Sequence, residues 1–357
     1  MADFSVYTSY GRTALYLALS VVNIQGKEVL LPAFTCNTTV VDAIVQAGGE
    51  PIFVDINPAN LEMVKEDLHV KISKKTKVII AHHYYGSYCN NVDDLDLFAK
   101  EHGLIHIEDF AHGLGLKKKP VGDIAIYSYS KNMNNPGGGK VWFRDPELFE
   151  KGLVIQSRCR SIFHDFVTNY ESFKYLYDLT RDRGCFNAQE QVYRVRDYVR
   201  RGVIKLLKTS GFYQENFFYR INEGDFDKKY KFFDTRMTKK QKYYIEKSLT
   251  GLNDIIVTRK QKALKLNDIL PSFLALSDNV VTNYTFLSKQ LGQIETFLAK
   301  LNIRTRRTWP AFQRYWSKQL TKNVKYLAEH LLLIDIDCVN DDNLTLLKEK
   351  IFGSQLL

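Results

Sequence analysis

No apolar run in this chain approaches the roughly 20 residues that a membrane-crossing helix needs, so a transmembrane protein is excluded. The five cysteines, Cys36, Cys89, Cys159, Cys185 and Cys338, are odd in number and scattered, with no C-x-x-C pair. Free thiols are the reading, and a disulfide scaffold is not. There is no G-x-S-x-G elbow, which removes the commonest serine hydrolase arrangement. Internal repeats and low-complexity segments are missing, which removes solenoids. The opening MADFSVYTSYGRT has neither a basic leader nor an apolar signal core, so a cytoplasmic protein is expected.

What is present describes a globular chain with a sizeable core. Its 357 residues are 45% hydrophobic and 25% charged, and this length suggests two domains. The net charge of +10 favours acidic partners: nucleic acid, a membrane surface or a phosphorylated small molecule. Charge alone does not choose among them. Runs such as KISKKTK at 71–77 and KKK at 117–119 read as solvated faces.

From residue 11 to about 145 the apolar pattern switches between helical and strand periods, the signature of βαβ units around a mainly parallel sheet. A helix is expected over 11–22, then strand EVLLP, helix 37–48, strands PIFVD and KVIIAHH, helix 93–102 and strand LIHIED. Strands IAIYSY and KVWF complete the run. Residues 146–230 change to helix-rich, aromatic and basic sequence and read as a helical excursion. Its basic amphipathic stretch at 187–208 has a packed and a solvated face, which explains it without a membrane. A long helix beginning at DTRMTKKQKYYIEKSL, 234–249, opens a smaller α+β tail, with strands NYTFL and IRTRRTW around helix 288–300. The closing LLLIDID and NLTLLKEKIF read as strand, then helix. The expected domains are 1–235 and 236–357.

Ligands of such sheets sit beyond the C-terminal strand ends, and several polar residues fall there. Lys131 lies in SYSKNMNNPGGGK at 128–140, leaving an apolar strand for a glycine-rich turn; Asp109 ends LIHIED. Two buried strand ends offering one amine and one carboxylate suit pyridoxal phosphate, the lysine for a Schiff base and the aspartate for the pyridinium nitrogen. Taken singly, each is explained as readily by a loop lysine and a helix-capping aspartate. Gly11, Arg12 and Thr13 open the first helix, where free N–H groups and a partial positive charge make an anion site. Thr13 serves equally as a helix cap. Ser128, three residues before Lys131, adds a hydroxyl for the same phosphate, and Gly137 to Gly139 give the turn its backbone freedom. His112 is placed to donate to the cofactor's phenolic oxygen. The histidine pair His102 and His106, with His82, His83 and Cys89, does not assemble the four converging ligands of a zinc site. Asp94 and Asp96 resemble a D-x-D metal motif, but with Asp93 they read as the acidic first turn of a helix.

Read together, GRTAL at 11–15, LLPAFTCNTTVVDAIVQAGGEPIFVDINP at 30–58, HYYG at 83–86, AKEHGLIHIEDFAHGLG at 99–115 and GDIAIYSYSKNMNNPGGGKV at 122–141 resemble the nucleotide-sugar aminotransferases of the DegT/StrS type. The resemblance implies an α/β, fold-type I pyridoxal phosphate enzyme, with a mainly parallel large domain and a smaller α+β C-terminal domain. By that resemblance Lys131 is the Schiff-base lysine, Asp109 the pyridinium partner and Ser128 the phosphate-binding serine. His112 falls where the family usually has Gln, and Gly11, Arg12 and Thr13 form the phosphate loop. Relatives with histidine in place of this lysine dehydrate their substrate, so Lys131 implies amine transfer. The implied reaction moves an amino group, with L-glutamate as donor, to a nucleotide-linked keto sugar in glycan or amino-sugar biosynthesis. A homodimer is implied, with no nucleic acid partner.

Three departures bear on the transfer. The chain starts almost at the phosphate loop, without the N-terminal arm that helps relatives shape the dimer and sugar pocket. Cys36 stands where many relatives place an aromatic ring over the cofactor. Asp234 occupies a position often held by an Asn that reaches the neighbouring subunit's phosphate, where a carboxylate repels. They leave open a non-catalytic binding or regulatory protein on the same fold, or another pyridoxal phosphate reaction.

Overall fold

The computed structural model describes residues 3–133, 137–159, 235–277, 279–308 and 320–352. Most of the expected 146–230 excursion, and Asp234, lie outside them. The first body contains β1 (Ser5–Thr8), α1 (Gly11–Val22), β2 (Glu28–Pro32), α2 (Asp42–Gln46), β3 (Glu50–Val54), α3 (Lys65–Lys71) and β4 (Thr76–His82). It continues with α4 (Val92–Glu101), β5 (Ile105–Phe110), β6 (Ile124–Ser128), α5 (Tyr129–Met133), β7 (Gly139–Phe143) and α6 (Pro146–Ser157). After the gap come α7 (Lys239–Leu249), α8 (Leu252–Asn267), β8 (Tyr284–Leu287), α9 (Leu291–Lys300), β9 (Thr305–Arg307), α10 (Lys322–His330), β10 (Leu331–Ile334) and α11 (Asp341–Phe352).

The large sheet runs β1-β7-β6-β5-β4-β2-β3. Strands β2 to β6 are mutually parallel where they pair, and β7 runs antiparallel to both β6 and β1. Strand side chains alternate between faces, and β4 shows the result. Val78 and Ile80 join Leu15, Ala18 and Leu19 of α1 in one core, while Ile79 and Ala81 join Leu95, Phe98 and Ala99 of α4 in another. Helices therefore cover both faces, which explains why the central strands read as unbroken apolar runs. Each large side chain so buried contributes about 1.5–3 kcal/mol.

The small antiparallel sheet, β8-β10-β9, follows the same rule. Leu332 and Ile334 of β10 pack with Ile294 and Leu298 of α9, whereas Leu331 and Leu333 join the large core. One face of the small sheet is thus continuous with the body that carries the strand ends.

Several details differ from the expectations. Strand β1 and helix α3 were not anticipated. The helix expected over 37–48 is a π-helical turn, Asn37–Val41, followed by α2. Lys131 sits in the one-turn helix α5 rather than in an open glycine turn. The helix expected from 234 begins at Lys239, where Thr238 and Gln241 form a reciprocal capping box with both bonds at 3.0 Å.

Candidate active site

The parallel strands β4, β5 and β6 end at His82, Phe110 and Ser128, and the polar side chains expected to carry chemistry gather there. A cavity of about 290 Å³ is lined by Cys36, His82, Asp109, His112 and Lys131, with Arg306 contributed by β9. Four of the eight residues singled out from the sequence therefore share one space: Cys36, Asp109, His112 and Lys131.

Asp109 is buried, 7% exposed. Its Oδ1 accepts from the Ala111 N–H at 2.8 Å, and its Oδ2 from His82 Nδ1 at 3.2 Å. Burial by itself raises the pKa of a carboxyl, but the His82 contact and the Ala111 amide outweigh it and hold Asp109 below the usual carboxylate range. The far nitrogen of His82 meets the Thr35 hydroxyl at 2.7 Å. Thr35, His82 and Asp109 so form one hydrogen-bonded line from the loop after β2, through β4, to β5.

His112 follows two residues after β5 and lies under the ring of Tyr85, stacked at 5.5 Å and 19°. The Tyr85 N–H donates to its Nδ1 at 3.3 Å. Burial, then the positive charge of Lys131, push the His112 pKa down to about 3. The ring is consequently neutral, and because Nδ1 accepts, Nε2 carries the hydrogen. His112 is a fixed neutral donor on the cavity wall.

Lys131 is exposed to the cavity. The protein packed around its amine lowers its pKa, and Arg306 and Arg12 add to the effect against the opposing pull of Cys36 and Asp109. A depressed lysine pKa increases the fraction of free amine, the form that attacks carbonyls and accepts protons.

The other four residues lie together at the start of α1. Gly11 is pressed on Ser128: a Cβ at residue 11 would fall 2.8 Å from Ser128 Cβ, so only glycine allows this approach. Helix α1 has no side-chain cap and no acidic residue in its first turn, so the partial positive charge of its N-terminus suits an anion. The Arg12 guanidinium lies 4.7 Å from the Tyr10 ring centroid. The cap expected of Thr13 is not made: the N-cap residue is Tyr10, and the Thr13 hydroxyl lies 3.2 Å from that of Ser9. Ser9 also bonds the backbone of Thr235 at 3.2 Å and accepts from Gln241 at 3.0 Å, so this corner is braced by the chain that follows the gap.

Sequence reasoning missed His82, Tyr85 and Arg306. His82 and His83 take different partners: the second bonds Glu108 at 2.9 Å and accepts from the Cys89 amide at 3.1 Å. Tyr85 is fully buried at φ +53°, with its hydroxyl 2.7 Å from Thr308. The backbone beside it is clasped by a second strained turn, in which Val281 has φ +40°. Val280 donates to Gly86 O at 3.0 Å and Thr282 to Tyr85 O at 3.1 Å.

This fold, with polar strand ends facing a second, smaller sheet, is that of the fold-type I pyridoxal phosphate-dependent transferases. Residues 1–175 match the model of the DegT/DnrJ/EryC1/StrS aminotransferase family. GDP-perosamine synthase from Vibrio cholerae is 35% identical over 175 residues, which are 45% of this chain and 47% of that protein. The chain thus spans about half the length of the curated relatives it matches. Over 98% of the chain, the structure resembles a DegT DnrJ EryC1 StrS aminotransferase from Brucella abortus, with a TM-score of 0.68, 18% identity and 85% of that chain covered. It likewise resembles NtdA from Bacillus subtilis, solved with bound cofactor PMP, with a TM-score of 0.67, 17% identity and 73% covered.

Proposed function

We propose that this chain is a pyridoxal phosphate-dependent aminotransferase that moves an amino group from an amino acid, L-glutamate, to a nucleotide-linked keto sugar in glycan or amino-sugar biosynthesis. The proposal includes a cytoplasmic homodimer. The observation that carries it is a single cavity holding a lysine of depressed pKa and an aspartate kept ionised in spite of burial. The family match and the sugar aminotransferases among the relatives support the substrate class.

The residues fit the cofactor chemically. Lys131 would hold it covalently, Asp109 its ring nitrogen and His112 its ring oxygen, while Gly11, Arg12, Thr13 and Ser128 would hold its phosphate. When bound, the cofactor supplies a carbonyl carbon and a ring that delocalises an electron pair. The Asp109 carboxylate, fixed by His82 and Ala111, keeps a positive charge at the ring nitrogen favourable. His112 donates from Nε2 without adding charge. Released once the donor's amine has taken its place, the Lys131 amine would take the proton from the donor's Cα and later return a proton, which its lowered pKa favours. Arg306, on the cavity wall, attracts the donor's carboxylate. Cys36 flanks the site without the stacking area of an aromatic ring.

The test is the absorbance of the purified chain with pyridoxal phosphate before and after addition of L-glutamate. A band near the visible edge that glutamate shifts to the pyridoxamine form supports the first half-reaction, and Lys131→Ala should lose both band and turnover. Turnover retained by Lys131→Ala would refute the role given to this residue.

A further inference from the structure

Lys131 lies in a helix of a single turn, Tyr129–Met133, too short to hold its own geometry by internal hydrogen bonds. What fixes its direction is attached to the next residue. The Asn132 amide donates from Nδ2 to Leu114 O at 2.7 Å, tying the lysine turn to the loop that carries His112. The Asn132 carbonyl accepts from Arg259 Nη1 at 2.9 Å. Arg259, on α8, is 5% exposed, and its other edge is bidentate to Asp337, with Nε to Oδ1 at 2.8 Å and Nη2 to Oδ2 at 2.6 Å.

We propose that Arg259, held by Asp337, is a positioning residue that aims Lys131 into the cavity through the Asn132 carbonyl. The inference rests on the cofactor reading above. Stability alone is a poor reason for the arrangement, since the desolvation of the buried Arg259 guanidinium roughly offsets what its pairing with the partly exposed Asp337 returns. Asn132 Oδ1, moreover, is buried and has no hydrogen-bond partner among the described residues, a cost that a residue kept only for packing need not carry. A planar guanidinium serves two acceptors on separate edges in fixed directions, which a lysine cannot. The precision matters because a misplacement of about 1 Å can cost on the order of a hundredfold in a reaction that depends on orientation. Asp337 stands just past β10, so the aim of Lys131 is set from the small sheet's side of the cavity.

The experiment uses the full chain. Pyridoxal phosphate is added over a concentration series, borohydride reduces the imine formed with lysine, and the modified Lys131 peptide is quantified by mass spectrometry, with Tm measured in parallel. Arg259→Gln should raise the concentration for half-maximal trapping about tenfold, the scale of one lost charge-assisted hydrogen bond. Asp337→Asn should shift it in the same direction. Arg259→Lys should recover Tm without recovering trapping, and Lys265→Gln, which breaks the exposed pair with Asp341 from the same helix, should leave trapping unchanged. If Arg259→Gln does not fold, Asp337→Asn and Arg259→Lys carry the test. Trapping unchanged in all variants, or lost and regained strictly with Tm, overturns the positioning role. No trapping on Lys131 in the unaltered chain overturns the cofactor reading and this inference with it.

Discussion

At the scale of single residues, the proposed chemistry depends on two ionisable groups kept in states that burial does not favour equally. Asp109 stays a carboxylate only because His82 and the Ala111 amide oppose its desolvation. His82→Leu should therefore let the Asp109 pKa rise and weaken pyridoxal phosphate binding about 10- to 100-fold by loss of a charge-assisted hydrogen bond; titration of the lysine-bound absorbance measures this. His112 is the opposite case. Unfolded, it takes a proton near pH 6.5; folded, only near about 3. Between those values the unfolded chain binds more protons, so stability falls as pH drops through this window. Asp109, with a depressed pKa, contributes stability that is lost only as pH falls through its lower folded value. Comparing Tm at pH 7 and pH 5 should give a smaller loss for His112→Gln than for the unaltered chain. An equal loss would show that His112 is not held neutral. The remaining acid sensitivity of the variant would come in part from His83, whose pKa burial also lowers.

At the scale of elements, the site depends on close backbone approaches. Gly11→Ala puts a methyl against Ser128 and should weaken cofactor binding through the phosphate end while leaving the far-ultraviolet circular dichroism unchanged. Gly86→Ala combines φ +95° with a Cβ 2.7 Å from Asn279 Oδ1 and 2.8 Å from Val281 N, and should cost about 1–3 kcal/mol, read as a fall in Tm. The parallel strands and α1 were legible because their apolar periods are long and their partners similar. Strand β1 was not: four residues on a sheet edge, antiparallel to β7, give too short an alternation. Helix α3 buries only Leu68, so it has no apolar stripe to read. Lys131 and Asp109 were legible from their places at strand ends. His82 was hidden because its role comes from register: it stands opposite Asp109 on the neighbouring parallel strand, and no sequence pattern prints the register. Arg306 and Arg259 were hidden for the same kind of reason, since the fold brings them to the site from far along the chain.

At the scale of the whole molecule, the charge of +10 bears on encounter rather than on fold. If the acceptor carries a diphosphate, raising ionic strength from about 0.05 to about 0.5 M should raise its KM severalfold by screening, while the lysine-bound band stays constant. A KM indifferent to salt would point to an uncharged acceptor. The two halves of the molecule meet where Tyr85 and Val281 hold left-handed backbones against each other. Residues 85 and 282 are far apart along the chain, and contacts of such long sequence separation carry a high loop-closure cost and tend to form late in folding. Until they form, neither strained turn has its partner, and His112 lacks the amide that selects its tautomer. The clasp thus makes completion of the proposed cofactor-binding wall one of the last events of folding, so a refolding chain should regain secondary structure before it regains the capacity to bind pyridoxal phosphate.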